Sequence, residues 1–130
     1  FLGHNVFKTW GKIKKLGPYD MIIVDPPSYQ KGSFVAETDY KKLLRRLPSL
    51  LSSPVKSSAD NNANNNDGAG HVLLCLNAPE LDTDFLQSQV VGEAPELEFV
   101  ERLDNPSSFP AADAERTLKV LVYRLKTLSC

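Results

Sequence analysis

Cysteine is nearly missing from this sequence. Cys75 and Cys130 are the two present in 130 residues. They lie far apart, and they form neither a disulfide framework nor a metal-ligand pair. A reducing compartment, the cytoplasm, is the expected setting. Histidine is as scarce: His4 and His71 have no neighbours at ligand spacing, so neither a metal site nor a catalytic triad is indicated. No apolar run approaches the length of a membrane-spanning helix. No G-x-G-x-x-G occurs, nor any glycine-rich turn after a strand, so the usual phosphate cradle is not here. Excess charge of one sign is also lacking. Fifteen basic and sixteen acidic residues leave a net charge of −1, which advertises no global basic field for nucleic acid, although a local basic face remains possible. The chain opens on Phe1-Leu2-Gly3-His4 without a methionine, which reads as the middle of a longer protein.

What is present is a globular composition, 42% apolar, and enough length for one core. Asn5 is a good N-cap, and Val6, Phe7, Trp10 and Ile13 follow at helical spacing. Gly17-Pro18 ends that helix. Residues 19–24 form an apolar run bounded by turn residues, which predicts a strand buried on both faces. A loop from Pro26 to about Ala36 leads to an amphipathic helix over 39–51. Its apolar side carries Tyr40, Leu43, Leu44, Leu47, Leu50 and Leu51, and Pro48 demands a kink or a fresh turn. Residues 52–69 are polar and asparagine-rich, which predicts a flexible insertion. His71–Leu76 is the next strand. Asp82 or Thr83 caps a helix to about Val91, Leu97–Leu103 is a less regular strand, and Leu118–Leu125 is the strongest one. Alternating helices and strands imply an α/β fold, a parallel sheet with helices on both faces. The last two strands have no helix between them and are expected to be antiparallel.

The stretch "YDMIIVDPPSYQKGS" carries the chemistry. In an open parallel sheet, ligands bind beyond the carboxyl ends of the strands. Asp25 stands at such an end, where a carboxylate can accept from an amine. Pro26 and Pro27 form a rigid turn with no N–H groups and leave carbonyls free to accept. Tyr29 offers a ring that can stack on a planar heterocycle. Together they suit a planar, hydrogen-bonding substrate, whereas Asp-Pro alone is also an ordinary turn starter.

"DMIIVDPPSYQKGSF" resembles the fourth motif of class I S-adenosylmethionine-dependent methyltransferases. The nearest likeness is to the bacterial 23S rRNA cytosine-C5 and guanine-N7 enzymes and their relatives. "HNVFKTW" is similar to their third motif, "DYKKLLRRL" to the helix after motif four, and "HVLLCLNAPEL" to the next strand. "ERLDNPSSFPAADAERTLKVLVYRL" is similar to their closing antiparallel hairpin. The resemblance implies a Rossmann-like α/β sheet of seven strands, with residues 1–130 as the C-terminal part of a methyltransferase domain. Its glycine-rich donor loop and ribose-binding acid would lie in a missing N-terminal part of the same chain.

By that resemblance Asn5, Val6 and Phe7 contact the donor's adenine, a role compatible with Asn5 as an N-cap. Asp25, Pro26, Pro27 and Ser28 form the methyl-transfer side of the pocket, with Asp25 also near the donor. Tyr29 meets the substrate or packs under its loop. Asn77 occupies the position where the cytosine-C5 enzymes keep a nucleophilic cysteine, and Cys75, two residues earlier, reads as a core thiol. Methylation of an amine or ring nitrogen is therefore the better fit. The implied acceptor is ribosomal RNA. A small-molecule or protein acceptor is the first alternative, and a non-catalytic α/β partner-binding module the second. The basic groups of Lys8, Lys12, Lys14 and Lys15, and of Lys41, Lys42, Arg45 and Arg46, read first as solvated helix faces and second as phosphate contacts. A lone fragment of this kind is expected to be inactive and to associate through its uncovered edge.

Overall fold

The computed structural model describes residues 1–27, 29–32, 34–54 and 68–127. A short 3-10 turn, Val6–Lys8, precedes helix α1, Trp10–Leu16. Strand β1, Met21–Val24, leads into a small hairpin of β2, Tyr29–Gln30, and β3, Phe34–Val35. Helices α2, Ala36–Leu44, and α3, Leu47–Leu50, follow. Then come β4, His71–Leu76, α4, Thr83–Glu93, β5, Leu97–Leu103, and β6, Lys119–Leu125.

The main sheet has the order β1-β4-β6-β5. β1 and β4 are parallel. β6 lies between β4 and β5 and is antiparallel to both. The mixed sheet is the Rossmann-like α/β class expected, including the antiparallel closing pair. The irregular alternation of β5 has a local cause, a register shift between Phe99 and Glu101 that breaks the two-residue period.

Pleating assigns the faces. Val72, Leu74 and Leu76 of β4 share a face with Leu121 and Tyr123 of β6, and all five are buried. Tyr40, Leu43 and Leu44 of α2, Leu47 of α3, and Leu86 and Val90 of α4 pack on that face. The amphipathic stretch is thus confirmed, but as two helices. It starts at Ala36 rather than Asp39, because the Asp39 carboxylate turns back to accept from the Val35 N–H at 2.8 Å. Pro48 falls in the first turn of α3, where its missing N–H costs nothing.

Two expectations need correction. The loop after Pro27 contains the β2–β3 hairpin, whose turn uses Gly32 at φ +75°. The strand at 19–24 is not buried on both faces. Ile22 and Val24 pack against the core, but Met21 and Ile23 are 55% and 65% exposed. The described helices that build the core all lie on one side of the sheet, and β1 is an edge strand.

The flexible segment expected over 52–69 falls, for 55–67, outside the described residues. Its ends are fixed. The Ser52 N–H donates to the Tyr19 carbonyl and the Gly70 N–H donates to the Ser52 carbonyl, each at 2.8 Å. A β-carbon on Gly70 would come within 2.8 Å of the Ser52 nitrogen, so that crossing requires glycine.

An apolar, unpaired edge is a template for another strand. The 130-residue chain alone is expected to self-associate as its concentration rises. Ile23→Lys should suppress this, because a charge on an edge strand opposes further pairing. Sedimentation velocity on both forms reads the outcome; a monodisperse parent chain would overturn it.

Candidate functional site

The sheet brings several chain segments to one edge. β1 and β4 run in parallel with Val24 beside Leu74, so Asp25 and Asn77 both emerge past carboxyl ends there. β6 begins at this edge, with Lys119 paired to Leu76, and β5 ends there, with Leu103 beside Val120. The β5–β6 connection, 104–118, therefore rises over the same edge.

A cavity of about 340 Å3 opens here. Asn5, Val6 and Phe7 line one side, Pro26 and Pro27 another, with His4, Phe34 and Leu43 completing it. Two groups of residues read from separate motifs thus meet in one space. A second cavity of about 500 Å3 runs along β1, shares Val6, Pro26 and Leu43 with the first, and reaches Asp25. Phe34 follows a polar stretch and carries no sequence signal of this role. Its ring is nearly parallel to that of Phe7, 7° between planes and 6.4 Å between centroids, and meets Tyr40 edge-on. The hairpin after the two prolines is thereby held against the first turn of the chain.

Asn5 does serve as an N-cap. Its side-chain oxygen accepts from the Phe7 N–H at 2.9 Å, and its carbonyl accepts from the Thr9 hydroxyl. A carbonyl oxygen has two lone pairs, so the cap leaves one free. Asp25 is exposed, and among the described residues nothing donates to its carboxylate. Asn77 is also exposed. Ser28 lies outside the described residues. Tyr29 pairs through its backbone with Val35 in the hairpin.

Cys75 is buried, as expected of a core thiol. Burial pushes its thiol up, and the nearby Asp25 carboxylate adds to the effect. Both keep the sulfur protonated, the opposite of what a nucleophile requires. The Tyr40 hydroxyl, also wholly buried, donates to the Cys75 carbonyl at 2.9 Å. Burial, then Cys75 and Asp25, raise Tyr40 well above the usual phenol range, so it remains a donor.

A polar cluster at this edge had no clear sequence signal. Lys119 is fully buried. Its ammonium donates to the carbonyls of Ala78 at 3.1 Å, Thr117 at 3.0 Å and Glu115 at 2.5 Å. Desolvation lowers its pKa, and the charge of Glu115 opposes that. Arg102 pairs with the Glu115 carboxylate and donates to the Ala114 carbonyl at 2.8 Å. Glu115 also accepts from the Thr83 N–H at 2.8 Å at the start of α4. The segment after Asn77, the head of α4 and the β5–β6 connection are thus tied together. A lysine at the start of a strand and a glutamate in a loop do not announce such a knot. Among the described residues no cluster of His, Cys, Asp and Glu could hold a metal, and no helix is long and apolar enough to cross a membrane.

The knot has a pH signature. The bond from Arg102, and then those from Thr83, lower the Glu115 carboxyl from 4.5 to about 2. A carboxyl depressed by folding stabilises fully above its unfolded pKa and loses that contribution as the pH falls through its folded one. Urea midpoints should therefore drop between pH 4.5 and about 2, and Glu115→Gln should remove part of that drop. Identical acid profiles for parent and variant would refute this.

Comparison with known proteins places the fold. No curated protein matches the chain. Among solved structures it is similar to SMU.776, a candidate methyltransferase complexed with SAH, at 22% identity and a TM-score of 0.68, over 94% of this chain and 30% of that one. It is similar also to a candidate SAM-dependent methyltransferase from Streptococcus mutans, at 21% identity, the same TM-score and the same coverage. The chain thus spans under a third of the length of these structural relatives. Residues 1–124 match one family profile, and on that match the chain belongs to the S-adenosylmethionine-dependent methyltransferase family.

Proposed function

We propose that this polypeptide is a cytoplasmic methyltransferase that methylates a nucleobase of ribosomal RNA with S-adenosylmethionine. The observation that carries this reading is the shared cavity in which Asn5, Val6 and Phe7 face Pro26 and Pro27 beside an exposed Asp25, whose carboxylate accepts from no donor among the described residues. The cavity fits one side of the donor. The free lone pair of Asn5 would accept from the adenine amine, and Val6 and Phe7 would flank its ring. No residue of this chain supplies a glycine-rich turn for the remainder, and we assign that to an upstream part of the same polypeptide.

When bound, S-adenosylmethionine supplies an electrophilic methyl group on a sulfonium centre. The chain's own residues would orient the acceptor. The Asp25 carboxylate and the carbonyl of Pro26 accept from an exocyclic amine or ring N–H of the target base, holding it in plane and favouring loss of its proton. Ser28, Tyr29 and Asn77 would complete the acceptor wall, with Tyr29 stacking on the base. A buried, protonated Cys75 supports nitrogen over carbon as the methylated atom, because attack on cytosine C5 needs a thiolate.

Transfer of labelled methyl from the donor to ribosomal RNA by the full-length protein tests the reading. Asp25→Ala should lower kcat by about 100-fold, typical of losing one positioned polar group, with little effect on donor affinity. Labelling of protein or small molecules instead of RNA would refute the acceptor. Calorimetry on the 130-residue chain alone should detect only weak binding of S-adenosylhomocysteine; micromolar affinity would contradict the upstream half-site.

A further inference from the structure

Charge is balanced over the whole chain but not locally. Residues 1–19 hold four lysines and no acid, and residues 40–54 hold Lys41, Lys42, Arg45 and Arg46 and no acid. The fold gathers parts of both stretches into a cleft of about 230 Å3 lined by Phe7, Trp10, Lys42, Arg45 and Arg46. Its lining is two aromatic rings and three cations. Phe7 and Trp10 meet edge to face at 6.3 Å. The Lys42 ammonium lies 5.7 Å from the centre of the Phe7 ring. Asp39 holds Lys42 at 2.8 Å and Glu93 holds Arg45, which fixes two cations in place. Among the described residues Arg46 makes no ion pair, so its guanidinium is available to a ligand. Phe7 also lines the cavity assigned to donor and acceptor, so the cleft and that cavity share a wall.

Cations alone would suit any polyanion. Cations interleaved with ring faces suit a chain of alternating phosphates and planar bases. We propose that this cleft binds single-stranded RNA beside the nucleotide to be methylated. Arg46 takes a phosphate, and the Trp10 ring receives the flanking base. This rests on the reading of RNA as acceptor.

The test is fluorescence anisotropy with the full-length protein and a single-stranded ribosomal RNA oligonucleotide over a series of salt concentrations. Each phosphate contact on a single strand adds about 0.7 to the slope of log K against log salt. Arg46→Ala should reduce that slope by about 0.7 and weaken binding for all sequences alike. Arg46→Lys should keep the slope, and affinity for S-adenosylhomocysteine should be unchanged in both variants. RNA binding with an unaltered slope in Arg46→Ala would overturn the cleft and leave the acceptor reading standing. Competition by a polyglutamate peptide as effective as that of unlabelled RNA would overturn the nucleotide assignment. No RNA binding by the parent protein would overturn both.

Discussion

Four rungs of parallel pairing, from Met21 beside His71 to Val24 beside Leu74, fix everything else at the edge that holds the candidate site. Side chains alternate along a strand, so this register alone decides which half of β1 meets the core. It turns Ile22 and Val24 towards the helices and leaves Met21 and Ile23 outside. A slip by one residue would reverse both sets and carry Asp25 away from the end of β4. Hydrogen bonds from Tyr19 to Leu50 and from Ser52 to Tyr19 hold the start of the strand, so the slip is opposed before the pairing begins.

Hydrophobic burial cannot organise the far side of that edge. The 104–118 connection is mostly polar, and Phe109, its largest apolar side chain, is 76% exposed. Charge takes over. Burying an ammonium costs several kcal/mol unless acceptors surround it, so Lys119 must find its three carbonyls for the fold to close. Two of them belong to the connection and one to Ala78, which follows Asn77. The position of the residue at the end of β4 is therefore coupled to a loop nearly forty residues later.

Much of this was visible in the sequence. An uninterrupted apolar run between turn residues marks the strand at 71–76 with the bounds it has, and a less regular alternation marks the one at 97–103. Asp-Pro-Pro marked a strand end, because proline cannot continue a ladder. Burial was harder to read. A run such as Met-Ile-Ile-Val is apolar on both faces whether or not a layer covers each of them, so periodicity could not reveal the exposure of Met21 and Ile23. Contacts between distant segments were hidden as well. Nothing local to Phe34 points to Phe7, and nothing in Glu115 points to Arg102 or Thr83. Motif likeness and strand ends mark the candidate residues, whereas their common cavity is a property of the tertiary fold.

The closed neck at Ser52 and Gly70 separates the fold from whatever length of chain lies between them. A single hydrogen bond joins the two ends, and Ser52 and His71 are pinned to Tyr19 and Asp20, just before β1. Once ends are fixed, lengthening a flexible loop costs little, about 0.6 kcal/mol for each doubling. The site edge stands at the opposite end of β1 and β4 from this neck. A change of chain length between Ser52 and Gly70 is therefore expected to leave the candidate edge undisturbed. The neck is a practical place to attach a probe or an affinity tag.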